Sequence, residues 1–216
     1  MNIKIADPAV AAATAKHLLS IGAVKLSPDK PFTWASGWKS PIYCDNRMTL
    51  SYPETRSFMK EQLVNLIKKE FPSVGGIAGV ATAGIPQGAL LADSLDLPFC
   101  YVRSKPKDHG MENLIEGRIE TGQKVVVVED LVSTGGSSLK AVDALRGAKA
   151  QVLGMAAIFT YGFPQAEQNF VRAEVNLACL CDYESLIKVA SDNGYINASH
   201  VASLGAWRTD PANWKA

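Results

Sequence analysis

The chain has little of what builds a metal centre or a disulfide framework. Of its 216 residues only three are histidine, and His17, His109 and His200 are scattered without the spacing of a zinc motif. Its four cysteines form no C-x-x-C pair and lie among apolar neighbours, which predicts buried, reduced thiols. We therefore expect no metal site built from side chains alone, so that any metal ion would arrive with a ligand.

Long apolar runs and an excess of one charge are also missing. No apolar run approaches the roughly 20 residues of a membrane span, and Asp7, Pro8 and His17 interrupt any signal core at the N-terminus, which predicts a cytoplasmic protein. A net charge of +1 provides no overall field to attract nucleic acid or an acidic membrane. A length of 216 residues favours one domain over residues 1–216, and an apolar content of 47% favours a chain that folds throughout.

Short apolar runs alternate with amphipathic stretches through most of the chain. This pattern predicts an α/β fold with a mostly parallel central sheet flanked by helices and buried on both faces. The predicted strands are residues 75–81, 98–104, 124–130, 150–160 and 175–180. The predicted helices are residues 53–70, 84–96, 137–148, 182–194 and 197–208.

Two stretches do not fit the alternation. Residues 30–47 are aromatic and rich in turn formers, so we expect residues 1–50 to contribute a small lobe, or hood, beside the main sheet. Residues 105–122 are charged and punctuated by glycine, and a structureless loop of this length is usually functional or disordered. We interpret it as a lid over a site.

The run "VVVVEDLVSTGGSS" (125–138) places two acids beside a turn suited to an anion. Its glycines allow backbone N–H groups to point inward at the start of a helix, which favours a phosphate. Because Glu129 and Asp130 would repel a bare phosphate, the ligand should also offer hydroxyls or a metal ion, as ribose 5-phosphate does. The alternative is an ordinary capped helix after a strand. Neither a Walker lysine nor a G-x-G-x-x-G turn is present.

This run resembles the phosphoribosyl diphosphate signature of the type I phosphoribosyltransferases. The stretches "FTWASGWKSPIYCDNR" and "YVRSKPKDHGMENLIEG" are similar to the orotate-specific branch of that family, and the similarity covers essentially the whole chain. The resemblance implies transfer of a phosphoribosyl group from phosphoribosyl diphosphate to orotate in pyrimidine synthesis. It also implies Mg²⁺ held mainly through the substrate, a homodimer with a shared lid, and no nucleic-acid or membrane partner.

The resemblance also implies roles for particular residues. Glu129 and Asp130 would hold the ribose hydroxyls, with Asp130 also catalytic. The 5′-phosphate would lie on the turn formed by Leu131, Val132, Ser133, Thr134, Gly135, Gly136 and Ser137. Arg103, Lys107 and His109 would bind the diphosphate and act in catalysis, with His109 a candidate proton source. A solvated charged loop is the alternative for these cations.

The base would contact Ser133, and we assign its carboxylate to Arg47, one of few cations in the aromatic lobe. A surface ion pair is the alternative for Arg47. Trp34, Trp38 and Tyr43 are interpreted as packing of the lobe and are left out of the site.

Several positions depart from the family pattern. Many relatives carry a lysine where this chain has Ala35, Ala83 and Ser104, although "GVATAGIP" (79–86) matches the turn that cups pyrophosphate. Some relatives carry an arginine where this chain has Tyr161. Lys105 or Arg47 would compensate, or this branch uses another charge layout.

Two other functions remain to be weighed. Transfer to a purine base would use the same ribose-phosphate cradle, but the "TWASG" and "SPIYCDNR" stretches favour orotate. A regulator that keeps the cradle and binds nucleic acid would need a basic face, which the net charge of +1 and the cations kept in the lid disfavour.

Overall fold

A computed structural model describes residues 3–34, 37–105 and 114–214. Its strands, in chain order, are β1 (Lys4–Ile5), β2 (Val24–Leu26), β3 (Phe32–Thr33), β4 (Lys39–Ser40), β5 (Ile42–Cys44), β6 (Ile77–Val80), β7 (Phe99–Val102), β8 (Ile115–Glu116), β9 (Lys124–Val132), β10 (Gln151–Thr160) and β11 (Leu177–Asp182). Its helices are α1 (Pro8–Ser20), α2 (Pro53–Glu70), α3 (Gly84–Leu95), α4 (Gly136–Gly147), α5 (Pro164–Arg172), α6 (Tyr183–Asp192) and α7 (Val201–Thr209). Two 3-10 helices span Asn46–Ser51 and Ala198–His200.

The main sheet has seven strands in the order β1-β11-β10-β9-β6-β7-β8. Its pairings are parallel except that of β7 with β8. The predicted mostly parallel sheet is therefore confirmed, and each predicted strand is present. β8 lies inside the stretch expected to be a loop.

Helices cover both faces of this sheet. Val126 and Val128 of β9 belong to one apolar cluster, with side chains from α2 and α3, while Val125 and Val127 belong to a second, with side chains from α4 and α5. Successive strand residues point to opposite faces, so a continuous run of valines fits a strand buried on both sides. The five predicted helices are also present.

The small lobe is built from two short antiparallel pairings. β2 pairs with β5, and β3 pairs with β4, all between residues 24 and 44. β1 instead extends the main sheet beside β11, and α1 packs against α6. Within the part of the chain that the structure describes, no helix has the length and apolar character needed to cross a membrane.

α5 is a helix that the sequence analysis missed. It has nine residues, of which only Ala166 and Phe170 are buried, so its apolar periodicity is too short to stand out. Pro164 begins it, where the missing proline N–H costs no helical hydrogen bond.

Candidate active site

The candidate site lies where β9 extends beyond the end of the neighbouring strand β6. β6 ends at Val80, and its register with β9 runs only as far as the pairing of Gly79 with Val128. Glu129 therefore follows the last pairing with β6 and Asp130 lies past the end of that strand, at the carboxyl edge of the sheet where ligands bind in open α/β folds.

The two acids have different surroundings. Glu129 is only 6% exposed, and its carboxylate accepts hydrogen bonds from Ser138 Oγ at 3.0 Å and from the Asp130 amide at 3.1 Å. Burial, and then the charge of Asp130, raise the pKa of Glu129. Asp130 is half-buried, and burial raises its pKa as well. Two adjacent carboxyl groups in a poorly solvated place favour a ligand that brings hydrogen-bond donors or positive charge.

The turn after β9 is held from outside by other elements. Asn169 of α5 donates from Nδ2 to Thr134 O at 2.9 Å, and Thr160 of β10 donates from Oγ1 to Val132 O at 3.1 Å. Gly135 has φ +81°, and a Cβ there would lie 2.6 Å from the ring of Phe170. Only glycine therefore fits this position.

α4 follows this turn with its first amides available. The N–H groups of the first turn of α4 have no acceptor inside the helix. Gly135, the residue before the helix, provides no side-chain cap for them. Oriented backbone amides at a helix N-terminus form an anion site. The predicted phosphate turn thus has the expected strand-turn-helix context.

A second turn, between β6 and α3, lies beside the turn that follows β9. Residues 81–83 connect β6 to α3, and the peptide between Ala81 and Thr82 is cis. A Cβ on Gly84 would clash with Val128 O, so α3 begins in direct contact with β9. Ala83 offers no side-chain hydrogen bond at this helix start, which leaves backbone amides to bind an anion here.

A cavity of about 510 Å³ lies between the lobe and the β9 turn. Side chains from both sides line it, among them Trp34, Trp38, Tyr43, Ser133, Thr134 and Tyr161. The expectation from sequence is that the first three of these pack the small lobe and lie outside the site. Trp34 packs against Tyr161 and Trp207, whereas Tyr43 is 43% exposed.

Arg47 already has an anionic partner. Its Nε and Nη2 donate to the two carboxylate oxygens of Asp45 at 2.7 and 2.8 Å, and this hydrogen bonding lowers the pKa of Asp45. The Arg47 side chain is 62% exposed. The ion pair expected under the alternative interpretation is therefore present, and binding of another carboxylate would require Arg47 to share or leave Asp45.

The predicted cations of the loop are only partly described. Arg103, just after β7, lies 3.5 Å from Glu116 through Nη1 and borders a cavity of about 400 Å³. Lys140 of α4 lines the same cavity and is a cation that no motif in the sequence indicated. Lys107 and His109 lie outside the described residues, as does Ala35.

The described residues contain neither a cluster of metal ligands nor a disulfide. In the ranges 3–34, 37–105 and 114–214, no group of three or more His, Cys, Asp or Glu side chains could hold a metal ion. All four cysteines are free, and Cys100, Cys179 and Cys181 are buried. Burial raises the pKa of Cys100 to about 11, which makes it a poor nucleophile.

Comparison with known proteins agrees with this geometry. The phosphoribosyl transferase domain matches residues 63–185. An orotate phosphoribosyltransferase of Bacteroides fragilis is 61% identical over 93% of this chain and 95% of its own length. One of Streptococcus pneumoniae is 56% identical over 93% and 96%. The crystal structure of orotate phosphoribosyltransferase from Aeropyrum pernix is 30% identical, with a TM-score of 0.74 over 85% of this chain and 99% of that one.

Proposed function

The chain belongs to the orotate phosphoribosyltransferase family, and we propose that it transfers the 5-phosphoribosyl group from phosphoribosyl diphosphate to orotate. The products are orotidine 5′-monophosphate and pyrophosphate, in pyrimidine synthesis. One observation carries the proposal: an acid pair, an amide-lined turn and an aromatic cavity meet at one edge of the sheet.

Ribose binding is assigned to the acid pair. Asp130 and Glu129 accept hydrogen bonds from the ribose hydroxyls, and the turn from Leu131 to Ser137 binds the 5′-phosphate. In the free protein Glu129 already accepts from Ser138. Hydroxyl donors stabilise the ionised carboxylates and so oppose the raised pKa of both acids.

Catalysis is mainly electrostatic. Positive charge develops on the ribose ring as pyrophosphate leaves C1, and the carboxylate of Asp130 stabilises it once bound substrates and the lid have displaced water. Arg103, Lys107 and His109 bind the departing diphosphate, with His109 able to protonate it. The amides of residues 82–84 complete that anion site without the lysine that many relatives carry at Ala83.

The base is assigned to the aromatic cavity. Tyr43 and Trp38 lie where they can cover the pyrimidine ring, and the Ser133 hydroxyl contacts its edge. Tyr161 is 2% exposed within a cluster that includes Trp34, Phe163 and Trp207. An aromatic side chain so enclosed has no charge for the orotate carboxylate, so Arg47 remains our candidate for that role.

Mg²⁺ fits the donor set of the site. Two neighbouring carboxylates are the oxygen ligands this ion prefers, and two are too few to hold it without substrate and water. When bound, Mg²⁺ neutralises charge on the diphosphate. Asp130 and Glu129 would support it through the ribose hydroxyls.

We extend the proposal to the organisation of the protein. Residues 1–216 act as a single domain, with residues 1–50 contributing the hood through the strands between residues 24 and 44. The protein is a homodimer in which the loop 105–122 of each subunit covers the site of the other. Its charged substrates do not cross membranes, which favours a cytoplasmic location.

A spectrophotometric assay of orotate consumption tests the function directly. Purified protein with phosphoribosyl diphosphate should consume orotate when Mg²⁺ is present and stop when the ion is chelated. The same assay with adenine and hypoxanthine should give no turnover. Turnover of a purine and not of orotate would contradict the proposal, because the cradle alone does not choose the base.

A further inference from the structure

We propose that Asn46, Thr49 and Gln87 form a positioning relay that holds Asp130 and the start of α3 in register for the reaction. Three hydrogen bonds make the relay. Asn46 Nδ2 donates to Asp130 O at 2.7 Å, Thr49 Oγ1 donates to Asn46 O at 2.7 Å, and Gln87 Nε2 donates to Thr49 Oγ1 at 3.1 Å. The inference rests on the proposed function and assigns residues that none of its steps uses.

The bond from Asn46 to Asp130 O takes the place of a hydrogen bond that β6 would donate if it were longer. Val126 donates its amide to Gly76 O on the β6 side of β9. Because strand residues two apart present their backbone groups to the same side, Asp130 presents its carbonyl to that side too, beyond Val80 where β6 ends. Asn46 provides the donor that the sheet no longer offers.

A second hydrogen bond, to the amide oxygen of Asn46, fixes the orientation of that side chain. Cys44 Sγ donates to Asn46 Oδ1 at 3.2 Å, which assigns the amide oxygen to Cys44 and leaves the NH₂ group for Asp130. A backbone carbonyl can only accept, so the opposite orientation would place two acceptors together. The contact with Asp130 therefore has one usable geometry.

The other end of the relay lies in the helix that starts at the second anion turn. Gln87 is three residues after Gly84, where α3 begins against Val128 O. Asn46 and Thr49 are 0% exposed and Gln87 is 1% exposed. Gln87 Oε1 is buried with no hydrogen-bond partner among the described residues, a cost that an apolar side chain of similar size would not carry. The hydrogen bond that Gln87 Nε2 donates to Thr49 Oγ1 accounts for a glutamine at this buried position.

The relay therefore joins three parts of the site. The hood contributes Asn46 and Thr49, α3 carries the pyrophosphate turn at its start, and β9 carries the ribose acid. Fixing these parts relative to one another sets the distance between the leaving group and Asp130. Loss of a link should lower kcat more than it weakens substrate binding, because small misplacement affects the transition state most.

Thr49→Val is the decisive variant, since it removes the hydroxyl and keeps the shape. We expect kcat to fall about 10- to 100-fold, with each KM changed less than about threefold, and Thr49→Ser to recover most of the loss. Thr14→Val is the matched control, because Thr14 is equally buried in α1 and its hydroxyl has no hydrogen-bond partner among the described residues. It should leave kcat unchanged.

Gln87→Leu tests the link from the other side. Thr49→Val and Gln87→Leu break the same bond, so the double variant should lose little more kcat than the worse single variant. Additive losses, or an unchanged kcat in Thr49→Val, would overturn the relay. So would a fall in kcat that only follows a loss of folded protein in urea melts and is not recovered by serine. A wild-type protein without orotate turnover would instead overturn the proposed function.

Discussion

Ser138 Oγ donates a hydrogen bond to Glu129 Oε2 across 3.0 Å, which connects the first turn of α4 to the last residue of the continuously buried run in β9. The anion turn lies between these two residues in the chain, so the bond closes the loop that carries it. Glu129 nevertheless lowers the stability of the folded protein when it is ionised at this position. Its carboxyl group is buried next to a second acid, and both features raise its pKa.

Glu129→Gln should therefore stabilise the protein while lowering its activity. A raised pKa means that folded Glu129 keeps a proton that the unfolded chain releases above its ordinary pKa of 4.5. Stability is then lost as pH rises from that value towards the raised pKa. A glutamine does not ionise, so the variant does not lose stability in this way and should be more stable than the wild type by about 1 to 3 kcal/mol at pH 7.

Urea unfolding from pH 4 to pH 8 checks this prediction. The difference between wild type and Glu129→Gln should be small at pH 4 and grow with pH. Glu61→Gln, on an exposed part of α2, is the control for the loss of one carboxylate from the protein. A wild type that gains stability over Glu129→Gln as pH rises would show that Glu129 is stabilised as an anion.

Gly135 and Gly136 provide a matched pair of substitutions in the anion turn. Gly135→Ala meets both a positive φ and the Phe170 ring, so we expect a loss of about 1 to 3 kcal/mol. Gly136→Ala has ordinary backbone angles and no atom nearer than 4.0 Å, so stability should change by less than about 1 kcal/mol. Thermal or urea melts separate the two, and equal losses would contradict the role of Phe170.

The sequence predicted the parts of this site that are local in the chain. Four valines, two acids and a glycine turn lie within residues 125–138, so strand, turn and helix could be recognised together. The supports of the site come from far away. Asn46 is 84 residues from Asp130, and Asn169 is 35 residues from Thr134. Single polar residues that act across such separations leave no periodic signal, so their roles could not be predicted from the sequence.

The aromatic residues show a different limit. Trp34 packs against Tyr161 and Trp207, yet it lines the same cavity as Trp38 and Tyr43, and the expectation that all three pack the lobe left them out of the site. Spacing along the chain does not show which face of a two-residue or three-residue strand meets solvent. Only the pairing of β2 with β5 reveals it.

Asn169→Asp tests how the anion turn is held. The aspartate is nearly isosteric but cannot donate to Thr134 O, so the turn should loosen and the KM for phosphoribosyl diphosphate should rise about 5- to 30-fold, equivalent to one or two kcal/mol. The KM for orotate should change less. Gln165→Leu is the control, because it removes the neighbour that donates to Asn169 Oδ1 and leaves the bond to Thr134 intact. A larger effect at Gln165 than at Asn169 would contradict this account.

Arg47 and Asp45 decide whether the orotate carboxylate is held by the hood. Arg47→Ala should raise the KM for orotate about tenfold or more, as expected for a lost charge-assisted bidentate contact. Asp45→Asn removes the competing carboxylate that now accepts from Arg47 Nε and Nη2, so it should lower that KM. Arg118→Ala is the control, because its ion pair with Glu120 is exposed at the start of the β8–β9 connection. An unchanged KM for orotate in Arg47→Ala would leave this arginine with only its structural ion pair and would direct the search to other cations of the site.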